Sequence, residues 1–320
     1  MVEQYLELVK RAAWAPVLRW SDMSDLSNPT SRVLDVITLL AAHPTEDFSL
    51  ADIARQLAMS KASAHRLLVT MANADFLARN AKHKTYSLGL GLLAVGQAAL
   101  QKYPGLDVAR AEIAKLSVEL NAQCSATGVI GGDLLILARA GSPQSHEGLS
   151  RVGERRPMIP PIGTCHIAWG EKSIVEPYLA LAAQYMSKDG YAWLEESLGL
   201  IRRRGYSVAS LGPASRKLRH ATVGPGGCER AGPRWSAISE LMGELTRNEI
   251  QLPSISDVDS DGIGRIVAPV FSSTGTVIFQ LALSGLPGSL TPRKLERYIE
   301  RLSATAAAVT SQNNGRVPTA

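Results

Sequence analysis

The stretch from residue 30 to 88 sets the tightest limit on what this chain can fold into, because three short helical patterns run there in succession and two short strands follow. From Thr30 to Ala42, Val33, Val36, Ile37 and Leu40 recur at the spacing of one helix face, and Pro44 ends the run. Ser49 is placed to cap a second helix, with Asp52 in its first turn and Leu50, Ile53 and Leu57 on one side. Ser60 is placed to cap a third, whose buried face is Ala64, Leu67, Leu68 and Met71. Three helices joined by short turns within about 45 residues make the tri-helical unit of helix-turn-helix DNA readers. Phe76 to Arg79 and Lys84 to Leu88 then read as strands around a polar, basic tip, Asn80 to His83, which is a wing.

A helix lying in the major groove buries one side on its own domain and offers short polar and cationic side chains from its first turns. Ser60, Lys61, Ser63 and Arg66 lie off the apolar face of the third helix and meet that need. Arg66 has the planar fork that pairs bidentately with guanine. Ser60 and Lys61 are better placed for phosphate. Arg79, Lys82, His83 and Lys84 on the wing are expected to straddle the backbone or enter the neighbouring minor groove. Taken singly, each of these residues reads first as ordinary solvated surface. Together they occupy the two exposed elements that a winged helix turns toward DNA.

Residues 29–88 thus form a winged helix-turn-helix domain, and the apolar run Gly89 to Lys102 adds a linker helix over 89–103, closed by Pro104-Gly105. In the remaining stretch, 104–312, Leu106 to Asn121 reads as a helix. Thr127 to Gly131 and Leu134 to Ala140 flank the turn pair Gly132-Asp133 as a hairpin, and Gly262 to Phe271 with Val277 to Leu283 form another. Thr291 to Thr310 closes the chain as a helix. Strands at both ends with helices between them indicate one mixed α+β sheet domain. Residues 1–28 are an N-terminal extension in which Met23 is an alternative start, and 313–320 are a C-terminal tail. Residues 201–234 carry eight Arg or Lys against one Glu and are rich in Gly and Pro, which reads as a solvated basic insertion.

Composition bears on the function classes. A chain of 320 residues with 45% apolar content can build two cores, and its net charge of +5 suits a polyanion without requiring one. Cys124, Cys165 and Cys228 are odd in number, far apart and outside any metal-ligand spacing, which points to a reducing cytoplasm with neither disulfide framework nor metal. No run reaches the ~18 apolar residues of a membrane span. Cys165-His166 invites a nucleophile and base, yet sequence neighbours rarely meet in catalytic geometry and no acid partner is evident, so Cys165 reads as a pocket-lining thiol and His166 as a helix-start or interface histidine. Gly224-Pro225-Gly226-Gly227 lacks the ending of a phosphate loop. No catalytic residue or cofactor is therefore assigned. An enzyme with an N-terminal oligomerisation module is the second reading, and a ligand binder that has lost DNA affinity is the third. Arg202 to Arg204 end a helix, where cations oppose the negative end of its dipole. Arg265, inside an otherwise apolar strand, needs a partner or water, either a ligand carboxylate in a pocket or solvent at an edge.

Leu50-Ala51-Asp52-Ile53-Ala54, Ser60 to Leu68 (Ser-Lys-Ala-Ser-Ala-His-Arg-Leu-Leu) and Tyr86-Ser87-Leu88-Gly89 closely resemble the IclR (isocitrate-lyase-regulator) family of bacterial transcription factors. Val152-Gly153-Glu154-Arg155-Arg156-Pro157, Pro161-Ile162-Gly163-Thr164, Ile201 to Tyr206, and Ile266 to Phe271 with Leu283-Ser284-Gly285 are similar to that family's ligand-sensing domain, so the likeness runs from about residue 30 to 312. The resemblance implies an α+β chain: a winged helix-turn-helix, a linker helix and a GAF-like effector domain with a curved antiparallel sheet. It further implies homodimers or homotetramers on palindromic double-stranded operators, and small organic acids or aromatic catabolites as effectors. Carried over, the effector-binding residues are Ile159, Ile162, Gly163, Thr164, Arg265, Val267, Ala282 and Ser284.

Overall fold

The computed structural model describes residues 29–43, 46–101, 103–130, 132–142, 152–222, 232–257, 262–288 and 290–318. The extension at 1–28, with Met23, and the glycine-rich segment at 224–227 lie outside these. The chain forms two compact units that part between Pro104 and Gly105.

The N-terminal unit contains α1 (Pro29–Ala42), β1 (Phe48–Ser49), α2 (Leu50–Gln56), α3 (Lys61–Asn73), β2 (Leu77–Asn80), β3 (Thr85–Leu88) and α4 (Leu90–Leu100). Its helix starts are built by side chains. Ser49 Oγ accepts from the Asp52 amide at 3.2 Å while the Asp52 carboxylate accepts from the Ser49 amide at 3.3 Å, a reciprocal capping box for α2. At α3, Ser60 Oγ accepts from the Ser63 amide at 3.1 Å. Val36, Leu40, Ile53, Leu68 and Tyr86 meet in the core between these helices and the sheet. On α3, Ala64, Leu68 and Met71 are buried and Leu67 is half-buried. β1 is too short for alternation to reveal it: Phe48 and Ser49 pair antiparallel with Tyr86 and Thr85, giving the order β1-β3-β2. Gly89 joins β3 to α4 at a point where any Cβ would collide with the Asp75 carbonyl, so this close turn requires glycine.

The C-terminal unit opens with α5 (Pro104–Leu120) and the hairpin β4 (Gln123–Ile130) and β5 (Asp133–Ala140), followed by β6 (Arg155–Pro157). A helical stretch comes next: α6 (Thr164–Ile167), α7 (Lys172–Tyr185), α8 (Lys188–Arg204), then β7 (Ser207–Ser210), α9 (Pro213–Thr222), α10 (Gly232–Gly243) and α11 (Arg247–Ile250). β8 (Ile263–Phe271), β9 (Val277–Ser284) and α12 (Pro292–Gln312) complete it. Among the described residues the sheet has six strands in the order β6-β5-β4-β9-β8-β7, every neighbouring pair antiparallel. Its two central hairpins come from opposite ends of the domain sequence. Register sets Ile266 against Leu283 and Ala268 against Leu281, all buried, and α12 packs against β8 and β9. Their strand neighbours, Arg265, Val267, Ala282 and Ser284, point to the other face because side chains alternate along a strand.

The expectation of a solvated insertion over 201–234 is corrected for its larger part. α8 continues to Arg204, β7 forms an edge of the sheet and α9 reaches Thr222. Ile201, Val208, Ala214 and Leu218 are buried. These apolar residues are too sparse for local periodicity to outweigh the basic, Gly- and Pro-rich composition, and their burial comes from tertiary neighbours, with β7 taking its hydrogen bonds from β8. The cations at the end of α8 are structural. Arg204 donates to the carbonyls of Leu252, at 3.0 Å, and Pro253, and Arg202 donates to that of Ala168.

Candidate nucleic-acid interface and ligand cavity

In the N-terminal unit, Ser60, Lys61 and Arg66 are exposed on α3, and Ser63 is half-buried beside them. Ser60 spends its hydroxyl locally, donating to Ser63 Oγ at 3.0 Å as well as capping the helix. Arg79 on β2 and Lys82, His83 and Lys84 at the wing tip are exposed. Asn80 shapes that tip by accepting from the amides of Lys82 and His83 at 3.1 and 3.2 Å, and Lys84 closes it at φ 54°. Charge pairing separates these residues from the rest of the unit. Arg32 faces Asp35 at 3.9 Å and Arg55 binds Asp52 at 2.6 Å. Among the described residues, Lys61, Arg66, Arg79, Lys82 and Lys84 form no ion pair.

In the C-terminal unit a cavity of about 50 Å³ lies on the sheet face turned away from α12. Alternate residues of four strands form its floor: Ser125 and Thr127 of β4, Leu134 and Ile136 of β5, Arg265 and Val267 of β8, and Gln280, Ala282 and Ser284 of β9. Gly163, Thr164 and Cys165 close it from the start of α6, Arg156 enters from β6 and Arg219 from α9. Gly163 holds φ 93°, and a Cβ there would lie 2.6 Å from Met158 Cγ, so the chain reaches the cavity wall by a turn open only to glycine. Ser284 donates to Gln123 at 3.2 Å, and Arg219 donates to the Gly264 carbonyl at 3.3 Å.

Six of the eight effector residues expected from the sequence thus line one cavity: Gly163, Thr164, Arg265, Val267, Ala282 and Ser284. Ile159 and Ile162 do not. Both are buried in the apolar cluster with Met158 and Tyr178, and the Ile162 carbonyl accepts from the Tyr178 hydroxyl at 3.1 Å, which fixes that segment facing the core. Sequence reasoning missed Arg156, Arg219, Ser125, Thr127 and Gln280. A polar residue inside an apolar strand was the signal that singled out Arg265, and it applies equally to Ser125, Thr127 and Gln280. Arg219 offers no such signal, because the basic, Gly- and Pro-rich sequence around α9 has the character of a loop.

The electrostatics of the cavity follow from its burial and its guanidinium groups. Arg156 is matched by Glu154 at 2.6 Å, with the two side chains only 11% and 9% exposed. Arg265 forms no hydrogen bond or ion pair through its side chain among the described residues. Burial, and next the like charge of Arg156, lower its proton affinity below the usual arginine range. Burial pushes the Cys165 thiol up to about 12, against the pull of Arg265, and takes the His166 ring down to about 4. At neutral pH the thiol is therefore protonated and the imidazole uncharged. Among the described residues there is no cluster of three or more His, Cys, Asp or Glu able to hold a metal ion, and no helix is long and apolar enough to cross a membrane.

A winged helix with unneutralised cations on α3 and the wing, followed by a cavity-bearing antiparallel-sheet domain, is the architecture of a DNA-binding transcriptional regulator. Residues 29–81 match the IclR helix-turn-helix domain. The N-terminal unit thus carries a helix-turn-helix domain of the IclR type, and along most of its length the chain is similar to IclR-type transcriptional regulators. It is 23% identical over 295 residues to KdgR, an HTH-type transcriptional regulator of Escherichia coli, an alignment spanning 91% of this chain and 96% of KdgR. The fold is similar to the crystal structure of an IclR transcriptional regulator from Alicyclobacillus acidocaldarius, with a TM-score of 0.63, 17% identity and coverage of 89% of this chain and 98% of that one. It is also similar to an IclR homolog from Microbacterium hydrocarbonoxydans complexed with 4-hydroxybenzoate, with a TM-score of 0.60, 18% identity and coverage of 89% and 99%.

Proposed function

We propose that this regulator works in the cytoplasm as a homodimer, or a pair of dimers, on a palindromic operator, and that a small organic acid or aromatic catabolite in the C-terminal cavity changes its affinity for that operator. Two half-sites lie about 34 Å or a multiple of it apart, a spacing that two tied winged helices satisfy and one does not. α3 would enter the major groove, with Arg66 reading a base, Lys61, Ser60 and Ser63 near phosphate, and Arg79, Lys82 and Lys84 on the flanking backbone.

The observation that carries the effector reading is the unpartnered Arg265 guanidinium on the wall of a small, half-apolar cavity. A shielded cation without a counter-ion is unfavourable, and an acid group beside it removes the penalty. The protonated Cys165 thiol and neutral His166 ring favour binding over nucleophilic chemistry, because a cysteine nucleophile acts as its thiolate. Effector binding would act through α4, shifting the balance between two placements of the paired winged helices.

The test is binding of the purified protein to the DNA flanking its own gene at two salt concentrations, with and without candidate acids, beside Arg66→Ala and Arg265→Ala. Tight, salt-sensitive binding lost in Arg66→Ala, and an acid response lost in Arg265→Ala with DNA binding retained, is the expected result. No preference over random DNA would overturn the operator reading. An acid response that survives Arg265→Ala would overturn the assigned role of Arg265.

A further inference from the structure

The cavity is more cationic than a single acid group needs. Three guanidinium groups, from Arg156, Arg219 and Arg265, line about 50 Å³, and among the described residues no carboxylate lines it with them. They arrive from separate elements. Arg156 stands on the edge strand β6, and Arg265 is four places along the sheet on β8. Arg219 comes down from α9 to the carbonyl of Gly264, next to Arg265. The cavity therefore has two cationic ends, Arg156 at one and Arg265 with Arg219 at the other. On the strands between them, Leu134, Ile136 and Ala282 give an apolar part of the floor and Ser125, Thr127 and Gln280 a polar one.

Resting on the reading of this cavity as the effector site, we propose that its occupant is a compact dianion, two acid groups on a short carbon skeleton, held between Arg156 and Arg265. Each guanidinium has five N–H donors in a fixed fork. Glu154 sits against Nε of Arg156 at 2.8 Å and one terminal nitrogen at 2.6 Å, which leaves the donors of the other terminal nitrogen for the ligand. Arg265 has its whole fork available. The hydroxyls of Ser125 and Thr164 and the amide of Gln280 make no other hydrogen bond among the described residues and add neutral donors along the path. Size limits the skeleton. At about 10–15 Å³ for each water, the cavity takes the equivalent of roughly four waters, which suits two to four carbons better than an aromatic ring. An anion at each end also relieves the repulsion between Arg156 and Arg265.

The test is titration calorimetry on the full-length protein in a chloride buffer at pH 7.5, with oxalate, malonate and succinate set against acetate, propionate and butyrate, and with inorganic phosphate as a further probe. The expected result is that at least one dicarboxylate binds about tenfold or more tightly than the monocarboxylate of equal carbon number, and that Arg265→Gln removes the difference. Arg265→Lys, which keeps the charge, is expected to retain part of it. The wild-type ratio decides even if a variant does not fold. Equal affinity for mono- and dicarboxylates would overturn the dianion while leaving an organic-acid effector standing. Phosphate binding more tightly than every dicarboxylate would overturn the two-ended skeleton. Absence of binding by any of these acids would overturn the dianion together with the small-organic-acid reading of the effector, leaving an aromatic one.

Discussion

Arg66 lies off the buried face of α3, formed by Ala64, Leu68 and Met71, and it forms no ion pair, so its fork is available to a base edge. Arg66→Ala is expected to cost about 1–3 kcal/mol in discrimination between operator and mutated operator, read by competition binding. Lys61→Ala should instead weaken all sequences alike and flatten the salt dependence. His166 gives a second residue-scale prediction. Its ring takes a proton in the folded state only near pH 4, whereas in the unfolded chain it does so near 6.5. Below about pH 6.5 the unfolded state therefore binds more protons, and stability is lost as pH falls toward 4, by about 3 kcal/mol for a shift of this size at about 1.4 kcal/mol per unit. Chemical denaturation at pH 7 and pH 4.5 should show a smaller loss in His166→Leu than in the wild type. Equal losses would mean that His166 does not titrate in this window. The residues of the cavity were legible in proportion to how badly they fit their strands. Arg265 stands out in Ile263–Phe271, while Arg219 sits among the other basic residues of α9, Arg216, Lys217 and His220, and only tertiary structure brings it to the cavity.

The wing is the element whose sequence says most about its work, since Arg79, Lys82 and Lys84 gather on one short hairpin without a carboxylate partner among the described residues. Replacing Arg79 and Lys82 together by alanine is expected to lower the slope of log affinity against log salt by about one for each phosphate contact removed, with the thermal midpoint unchanged. An unchanged slope would take the wing off the DNA. Lys84 is the less suitable site, because its positive φ would strain any replacement except glycine or asparagine. Among the other elements, those with a repeating local pattern were legible: α1 and α3 from their apolar faces, α2 from Ser49 and Asp52, and the β4-β5 and β8-β9 hairpins from their turns. β1, β7 and α9 were not. β1 has two residues, β7 has four at a sheet edge, and α9 buries a narrow stripe under a basic surface. In each the deciding energy is a contact with a distant strand or helix, which no local window contains.

For the whole molecule the feature that most needs a partner is α4. None of its 11 residues is buried, yet Gln97 is its only polar side chain, and Leu90, Leu93 and Val95 are 82%, 60% and 54% exposed. A helix this apolar and this bare is an unfavourable surface in water, and a second copy of the same helix can cover it by an isologous contact. Burying one leucine in such a seam contributes about 1.5–3 kcal/mol, and in a dimer each substitution removes two. Leu93→Glu is therefore expected to weaken self-association by at least about a hundredfold, or about 2.7 kcal/mol, and to move the mass in sedimentation equilibrium toward the monomer at micromolar concentration. Each winged helix would stay folded, with α1 and α3 intact by circular dichroism. Operator affinity should fall toward the non-specific level, because one reading helix engages one half-site and the gain from tying two together is lost. A variant that keeps both its mass and its operator affinity would show that α4 is not the seam. One that keeps its mass but loses operator affinity would place the seam elsewhere and leave α4 as the element that sets the spacing of the two reading helices.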